Sequence, residues 1–178
     1  MIYVIMGKSC SGKTTFAKEL ERYGIERIKT CTTRPKRRGD SDEDYYFISD
    51  EAFDCLASNG YFLETRSYNT VEGVWKYASI KSEYETEDVK TIILTPEGLE
   101  ALKNTGIKYK TIYMDPPDVI RIDRAIKRGD DYKEMMRRSK TDREDFEDIT
   151  YDYVIRDSKD KYPVINNILL RKSMVKGA

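Results

Sequence analysis

The chain contains no histidine. That absence removes the commonest general base, the Ser-His and Cys-His nucleophile pairs and the commonest metal ligand, so any chemistry proceeds without imidazole. Cysteine is scarce: Cys10, Cys31 and Cys55 are an odd number, far apart, with no Cys-x-x-Cys pair. This argues against a disulfide framework or a zinc site and for reduced thiols. Net charge is missing too, since 32 basic side chains balance 32 acidic ones. No global field draws the protein to nucleic acid or membrane, so any anion site must be local. Apolar runs such as 2–6 and 91–94 are strand-sized, far short of the roughly 18 to 20 apolar residues of a membrane span. The N-terminus enters an apolar run with no basic leader or cleavage site, and the expectation is a soluble, cytoplasmic protein.

What is present is an alternation. At 178 residues the chain fits one domain. Its apolar pattern predicts strands at 2–6, 61–65, 89–94, 109–114 and 153–155. Helices are predicted near 13–23, 50–59, 79–85, 96–104, 116–127, 132–147 and 159–171. Strands alternating with helices predict an α/β fold, a parallel sheet with helices on both faces. Residues 30–78 break the rhythm with basic, acidic and aromatic clusters and short alternating runs. They read as a small antiparallel insert. The stretch Lys127-Arg128-Gly129-Asp130-Asp131 interrupts two charged helices and suggests a hinged flap.

Gly7-Lys8-Ser9-Cys10-Ser11-Gly12-Lys13-Thr14 matches G-x-x-x-x-G-K-[ST], follows the first strand and opens a helix carrying Phe16, Ala17 and Leu20. This is the context a P-loop needs. Glycines let successive N–H groups converge on one oxyanion, the helix N-terminus adds a favourable dipole, Lys13 reaches the β/γ-phosphates and Thr14 offers its hydroxyl to Mg²⁺. The expected ATP-binding set is Gly7, Lys8, Ser9, Cys10, Ser11, Gly12, Lys13, Thr14 and Thr15. A P-loop alone leaves ATPase, GTPase, kinase and motor open. The chain has neither Asn-Lys-x-Asp nor an Asp-x-x-Gly after a strand, which disfavours a switch GTPase.

Between Arg27 and Arg38 six basic residues (Arg27, Lys29, Arg34, Lys36, Arg37, Arg38) occur with no acid, interleaved with Thr30, Thr32 and Thr33. This is a local anion site. The sequence Thr30-Cys31-Thr32-Thr33-Arg34-Pro35-Lys36-Arg37, then Asp44-Tyr45-Tyr46-Phe47, then Phe62-Leu63-Glu64 resembles the GMP-binding sub-domain of the guanylate kinase family. With the P-loop and the later Arg124…Arg128-Gly129…Arg137 pattern, the resemblance covers most of the chain.

The resemblance implies one guanylate-kinase-like domain over 1–178. Its P-loop NTPase core covers about 1–29, 80–127 and 145–178, its monophosphate-binding insert about 30–79 and its lid about 128–144. It implies that Arg34, Arg37, Tyr45 and Tyr77 hold the acceptor's phosphate with Ser79 nearby, and that Thr30 and Glu64 read the base. An ionised carboxylate pairs with guanine N1–H and the 2-amino group, whereas adenine offers an acceptor and a C–H there. Lys13, Arg124, Arg128 and Arg137 would neutralise the transferring phosphoryl group. Arg121, Arg124 and Arg128 stand at i, i+3 and i+7, one helix face. The implied reaction is ATP- and Mg²⁺-dependent phosphorylation of GMP or dGMP by a monomer or homodimer, with no nucleic-acid or membrane partner.

The chain departs from the family at Thr95, which takes the place of an acidic residue, with Glu97 as a stand-in. It departs again at 67–77, a longer and more irregular stretch than the family's turn. A kinase of the same fold with another phosphate-bearing acceptor, or an inactive guanylate-kinase-like binding module, are the alternatives.

Overall fold

The computed structural model describes residues 1–37, 40–70, 72–130, 140, 142, 145–146 and 149–176. A five-stranded sheet, all parallel, carries the fold. Its strands are β1 (Ile2–Met6), β2 (Glu26–Arg27), β7 (Lys90–Ile93), β8 (Tyr109–Met114) and β9 (Tyr153–Ile155), in the order β2-β7-β1-β8-β9. β1 is central and every residue in it is buried, as expected of a strand covered on both faces. Its side chains divide by period two. Tyr3 and Ile5 join Phe16, Ala17 and Leu20 of α1 (Lys13–Arg22) and Ile165 and Ile168 of the C-terminal helix (Ser158–Lys176). Ile2, Val4 and Met6 join Leu99 and Leu102 of α3 (Pro96–Lys103) on the other face. α4 (Asp118–Arg128) follows β8 and ends at Gly129, whose φ of 79° suits a glycine stop. Among the described residues, no helix is long and apolar enough to cross a membrane.

A second, four-stranded sheet has the order β4-β3-β6-β5, from β3 (Thr30–Thr32), β4 (Tyr45–Phe47), β5 (Phe62–Thr70) and β6 (Gly73–Ile80). It is mainly antiparallel, but β3 and β4 pair in parallel. α2 (Asp50–Ser58), capped by the Ser49 hydroxyl on Ala52 N–H at 3.2 Å, packs Phe53 against Phe62.

Two expectations fail here. Residues 67–70 and 73–77 are not irregular: β5 and β6 pair antiparallel in continuous register from Glu64↔Ser79 to Thr70↔Gly73. Residues 79–85 are not an α-helix either. β6 runs to Ile80, and only a 3₁₀ turn, Lys81–Tyr84, follows. Pairing of Ser79 with Thr30 and Glu64, and of Ile80 with Phe62, overrides the local helical pattern. The predicted helix at 132–147 and the lid fall mostly outside the described residues.

Asp44, just before β4, ties the insert to the core. Its carboxylate accepts from Lys18 of α1 at 3.3 Å, from both terminal nitrogens of Arg27 at 3.2 Å and from Ser41. Burial opposes the charge, but the Ser41 and Lys18 hydrogen bonds outweigh it and hold the carboxyl below its ordinary range.

Candidate active site

The loop after β1 turns on three residues of positive φ: Gly7 at 144°, Cys10 at 59° and Gly12 at 99°. A Cβ on Gly7 would lie 2.5 Å from Met114 O, so β8 can approach only a glycine. Lys13 folds its ammonium onto Gly7 O (2.7 Å) and Lys8 O (2.9 Å). Burial pushes this ammonium down to about 8. The Ser9 N–H donates to the Asp142 carboxylate at 2.7 Å, a loop amide holding an oxyanion. The Ser11 hydroxyl is buried and has no partner among the described residues. Thr14 and Thr15 are exposed on the first turn of α1 beside this loop.

The three arginines of α4 share one face and all reach the loop. Buried Arg121 donates to Ser9 O at 3.1 Å and grips Asp118 through Nε (3.2 Å) and Nη2 (2.7 Å). Arg124 donates to Cys10 O at 3.2 Å and Arg128 to Cys10 Sγ at 3.3 Å, with Arg128 also paired to Asp130. Both are exposed and line the cleft over the loop. Arg137 lies outside the described residues.

Across from the loop, Arg34 is buried between the rings of Tyr45 and Phe47, at 5.4 Å and 5.6 Å from their centroids. Its Nη2 pairs with the Asp40 carboxylate at 2.7 Å, and the same carboxylate takes the Arg37 backbone N–H at 2.8 Å. The Arg37 guanidinium lies 5.1 Å over Trp75. Burial pushes the Tyr45 phenol up, so at neutral pH it stays a hydrogen-bond donor. Tyr45 and Tyr77 meet edge to face at 6.2 Å. Of the six basic residues, Arg27, Lys29 and Lys36 are structural: Arg27 binds Glu21 and Asp44, Lys29 binds Asp42 O, and Lys36 binds the Asp42 carboxylate. Arg38 is outside the described residues.

One cavity of about 330 Å³ joins the two halves, with Lys13, Thr30, Arg37, Tyr45, Tyr77 and Thr95 in its wall. Glu64 and Ser79 are not in that wall. Ser79 is fully buried and its hydroxyl donates to Glu64 Oε1 at 2.6 Å, so it supports Glu64 and does not flank a phosphate. Glu64 is clamped by Arg66, through Nε to Oε2 (2.8 Å) and Nη2 to Oε1 (3.1 Å). Arg66 Nη1 reaches on to Thr95 Oγ1 at 2.7 Å. Thr95 also caps α3, on Gly98 N–H at 3.4 Å, and contacts the Tyr68 hydroxyl at 3.1 Å. Glu97 is exposed and accepts from Tyr68 at 3.2 Å, so it does not take the acidic place beside the cavity.

The residues missed from the sequence are therefore Arg66, Tyr68, Trp75 and Asp142. A signal existed for the first three. Glu64, Arg66 and Tyr68 stand at i, i+2 and i+4 of β5, directly opposite Ser79, Tyr77 and Trp75 of β6, so one hairpin face carries all six.

The family model for guanylate kinase matches residues 1–166. The guanylate kinase of Symbiobacterium thermophilum is 30% identical over 166 residues, which span 87% of this chain and 76% of that one. The guanylate kinase of Thermotoga maritima is 34% identical over 136 residues, 72% of this chain and 64% of that one. In fold, the crystal structure of guanylate kinase from Anaplasma phagocytophilum superposes with a TM-score of 0.65 at 22% identity, covering 97% of this chain and 86% of that one. The chain belongs to the guanylate kinase family.

Proposed function

We propose that the protein transfers the γ-phosphoryl group of ATP to GMP or dGMP, giving ADP and GDP or dGDP. One observation carries this reading: the P-loop lysine and the Arg37–Tyr45–Tyr77 cluster open on the same cavity of about 330 Å³. Two anion sites facing each other across one chamber suit a donor triphosphate and an acceptor monophosphate, and a simple hydrolase has no use for the second. The acceptor's own phosphate oxygen is an adequate nucleophile, so a chain without histidine loses nothing by lacking a general base. Catalysis is then positioning and charge neutralisation. The loop amides and Lys13 hold the donor phosphates, Arg124 and Arg128 approach from α4, and Arg34, Arg37 and the Tyr45 phenol hold the acceptor.

The donor set fits a hard cation held chiefly by phosphate oxygens. Thr14 presents an exposed hydroxyl beside the loop. Among the described residues, no group of three or more His, Cys, Asp and Glu side chains forms a protein cage. Thr14 would hold Mg²⁺, which when bound neutralises phosphate charge. The test is ADP formation from ATP and Mg²⁺ with each common nucleoside monophosphate and with sugar phosphates in turn. GMP and dGMP are expected to lead. Turnover of a sugar phosphate alone, or ATP binding with no phosphorylated product, would overturn the reading.

A further inference from the structure

The segment after β3 brings two arginines to the acceptor side, and the protein fixes them by different means. Arg34 is held by its close neighbours: Nη1 donates to Pro35 O at 2.8 Å, Nη2 pairs with Asp40 at 2.7 Å, and the rings of Tyr45 and Phe47 lie beside it. Arg37 is exposed and opens on the chamber with Tyr45 and Tyr77. A long exposed side chain loses rotamer freedom when a ligand orders it, which weakens binding unless the protein has ordered it beforehand.

The ordering element for Arg37 is on another strand. Its guanidinium lies over the indole of Trp75, 5.1 Å from the ring centroid. The indole itself is fixed: Trp75 is only 8% exposed, stands in β6 opposite Tyr68 and belongs to the chamber wall. At Lys76, the next residue, the carbonyl accepts from the Thr33 N–H and the Thr32 hydroxyl, both at 3.0 Å. The Lys76 N–H donates in turn to the Thr33 hydroxyl at 3.0 Å. The chain leading to Arg37 is thus stitched to β6 beside the indole, and ring and guanidinium share one frame.

This contact does not compete with phosphate. An aromatic ring attracts a guanidinium through its π face, whereas a phosphate oxygen is bound by N–H bonds lying in the guanidinium plane. One cation can rest on the ring and still point its N–H fork at an oxyanion. Trp is the strongest of the aromatic side chains in this role.

Resting on the reading of this chamber as a monophosphate acceptor site, we propose that Trp75 is a positioning residue for the reaction. Its indole holds the Arg37 guanidinium at the place where the acceptor's phosphate arrives, so the phosphate meets an arginine already in position.

The experiment is a double-mutant cycle on the full chain, with kcat and KM for GMP measured at saturating ATP and Mg²⁺ for wild type, Trp75→Leu, Arg37→Ala and the double variant. Trp75→Leu should raise KM for GMP about three- to tenfold, as loss of one cation–π contact demands, and should lower kcat by less. In the Arg37→Ala background the same substitution should raise KM no further. Trp75→Phe, which keeps a π face, should recover most of the loss. An equal penalty in both backgrounds is what a purely structural role predicts, and it overturns the proposal. So does a loss that falls on kcat in place of KM, no effect of Trp75→Leu in the wild-type background, or no recovery by Trp75→Phe.

Trp75 is the one tryptophan in the sequence, so its emission reports this contact directly. Saturating GMP should shift or quench that emission in wild type. The change should be absent in Arg37→Ala at GMP concentrations that calorimetry shows to fill the site. No response in wild type, or the same response in Arg37→Ala, overturns the proposal. This comparison alters nothing at Trp75, so it stands even if Trp75→Leu folds poorly. If GMP is neither bound nor phosphorylated, the acceptor reading fails. If GMP is turned over and these results are absent, this proposal alone fails.

Discussion

The two halves of the site are made of different material. The donor half is backbone: three positive-φ residues, amides converging at a helix N-terminus, and arginines that touch loop carbonyls. The acceptor half is side chain: aromatic rings, guanidiniums and carboxylates projecting from a four-stranded sheet. A backbone cradle depends on a few glycines at fixed spacing and tolerates little variation. A side-chain pocket can exchange one residue for another and keep its frame.

The contrast can be broken deliberately. Lys13→Met should have the largest effect, lowering kcat by on the order of a thousandfold while GMP binding, followed by calorimetry, stays unchanged. Parallel loss of GMP affinity would mean that the halves are not separable. Arg37→Ala should act on the other side, raising KM for GMP about ten- to a hundredfold with KM for ATP unaltered, as removal of a charge-assisted contact demands.

Asp44→Asn tests the tie between the halves. Arg27 and Asp44 side chains are 5% and 7% exposed, and breaking a buried pair from one side costs about 3 kcal/mol, measurable by urea unfolding at pH 7. The folded Asp44 carboxyl is depressed, so its stabilisation is fully present above the unfolded value of about 3.9 and is lost as pH falls through the lower folded value. The gap between wild type and variant should close in acid.

A smaller effect is expected from Gly98→Ala. The new methyl displaces the Arg66 guanidinium, and a displaced residue of the cavity wall should raise acceptor KM about three- to tenfold with little change in the donor constants. The mildest effect is on pH. With the Lys13 ammonium at about 8 in the free protein, kcat/KM for ATP should decline as pH rises through that value, since the neutral amine loses its attraction for phosphate.

The same division explains what the sequence disclosed. β1 and β8 begin and end where the apolar pattern places them, because central parallel strands are specified by continuous hydrophobicity, and the edge strand β9 does so too. The loop from Gly7 to Thr14 is legible because each position answers to a backbone requirement. Arg66 was not legible. Its role depends on a partner two residues away on the strand and on Thr95, 29 positions along the chain. Ser79 was misplaced for a related reason. Local periodicity favours a helix there, but the strand partners Thr30 and Glu64 come from elsewhere in the sequence.

The insert is fastened to the core at two separate points. Asp44 holds Lys18 and Arg27 at one end, and Arg66 and Tyr68 hold Thr95 and Glu97 at the other. In mechanical terms this is an arch resting on two abutments. Swinging it as a rigid body would tear at least one charged contact from its seat.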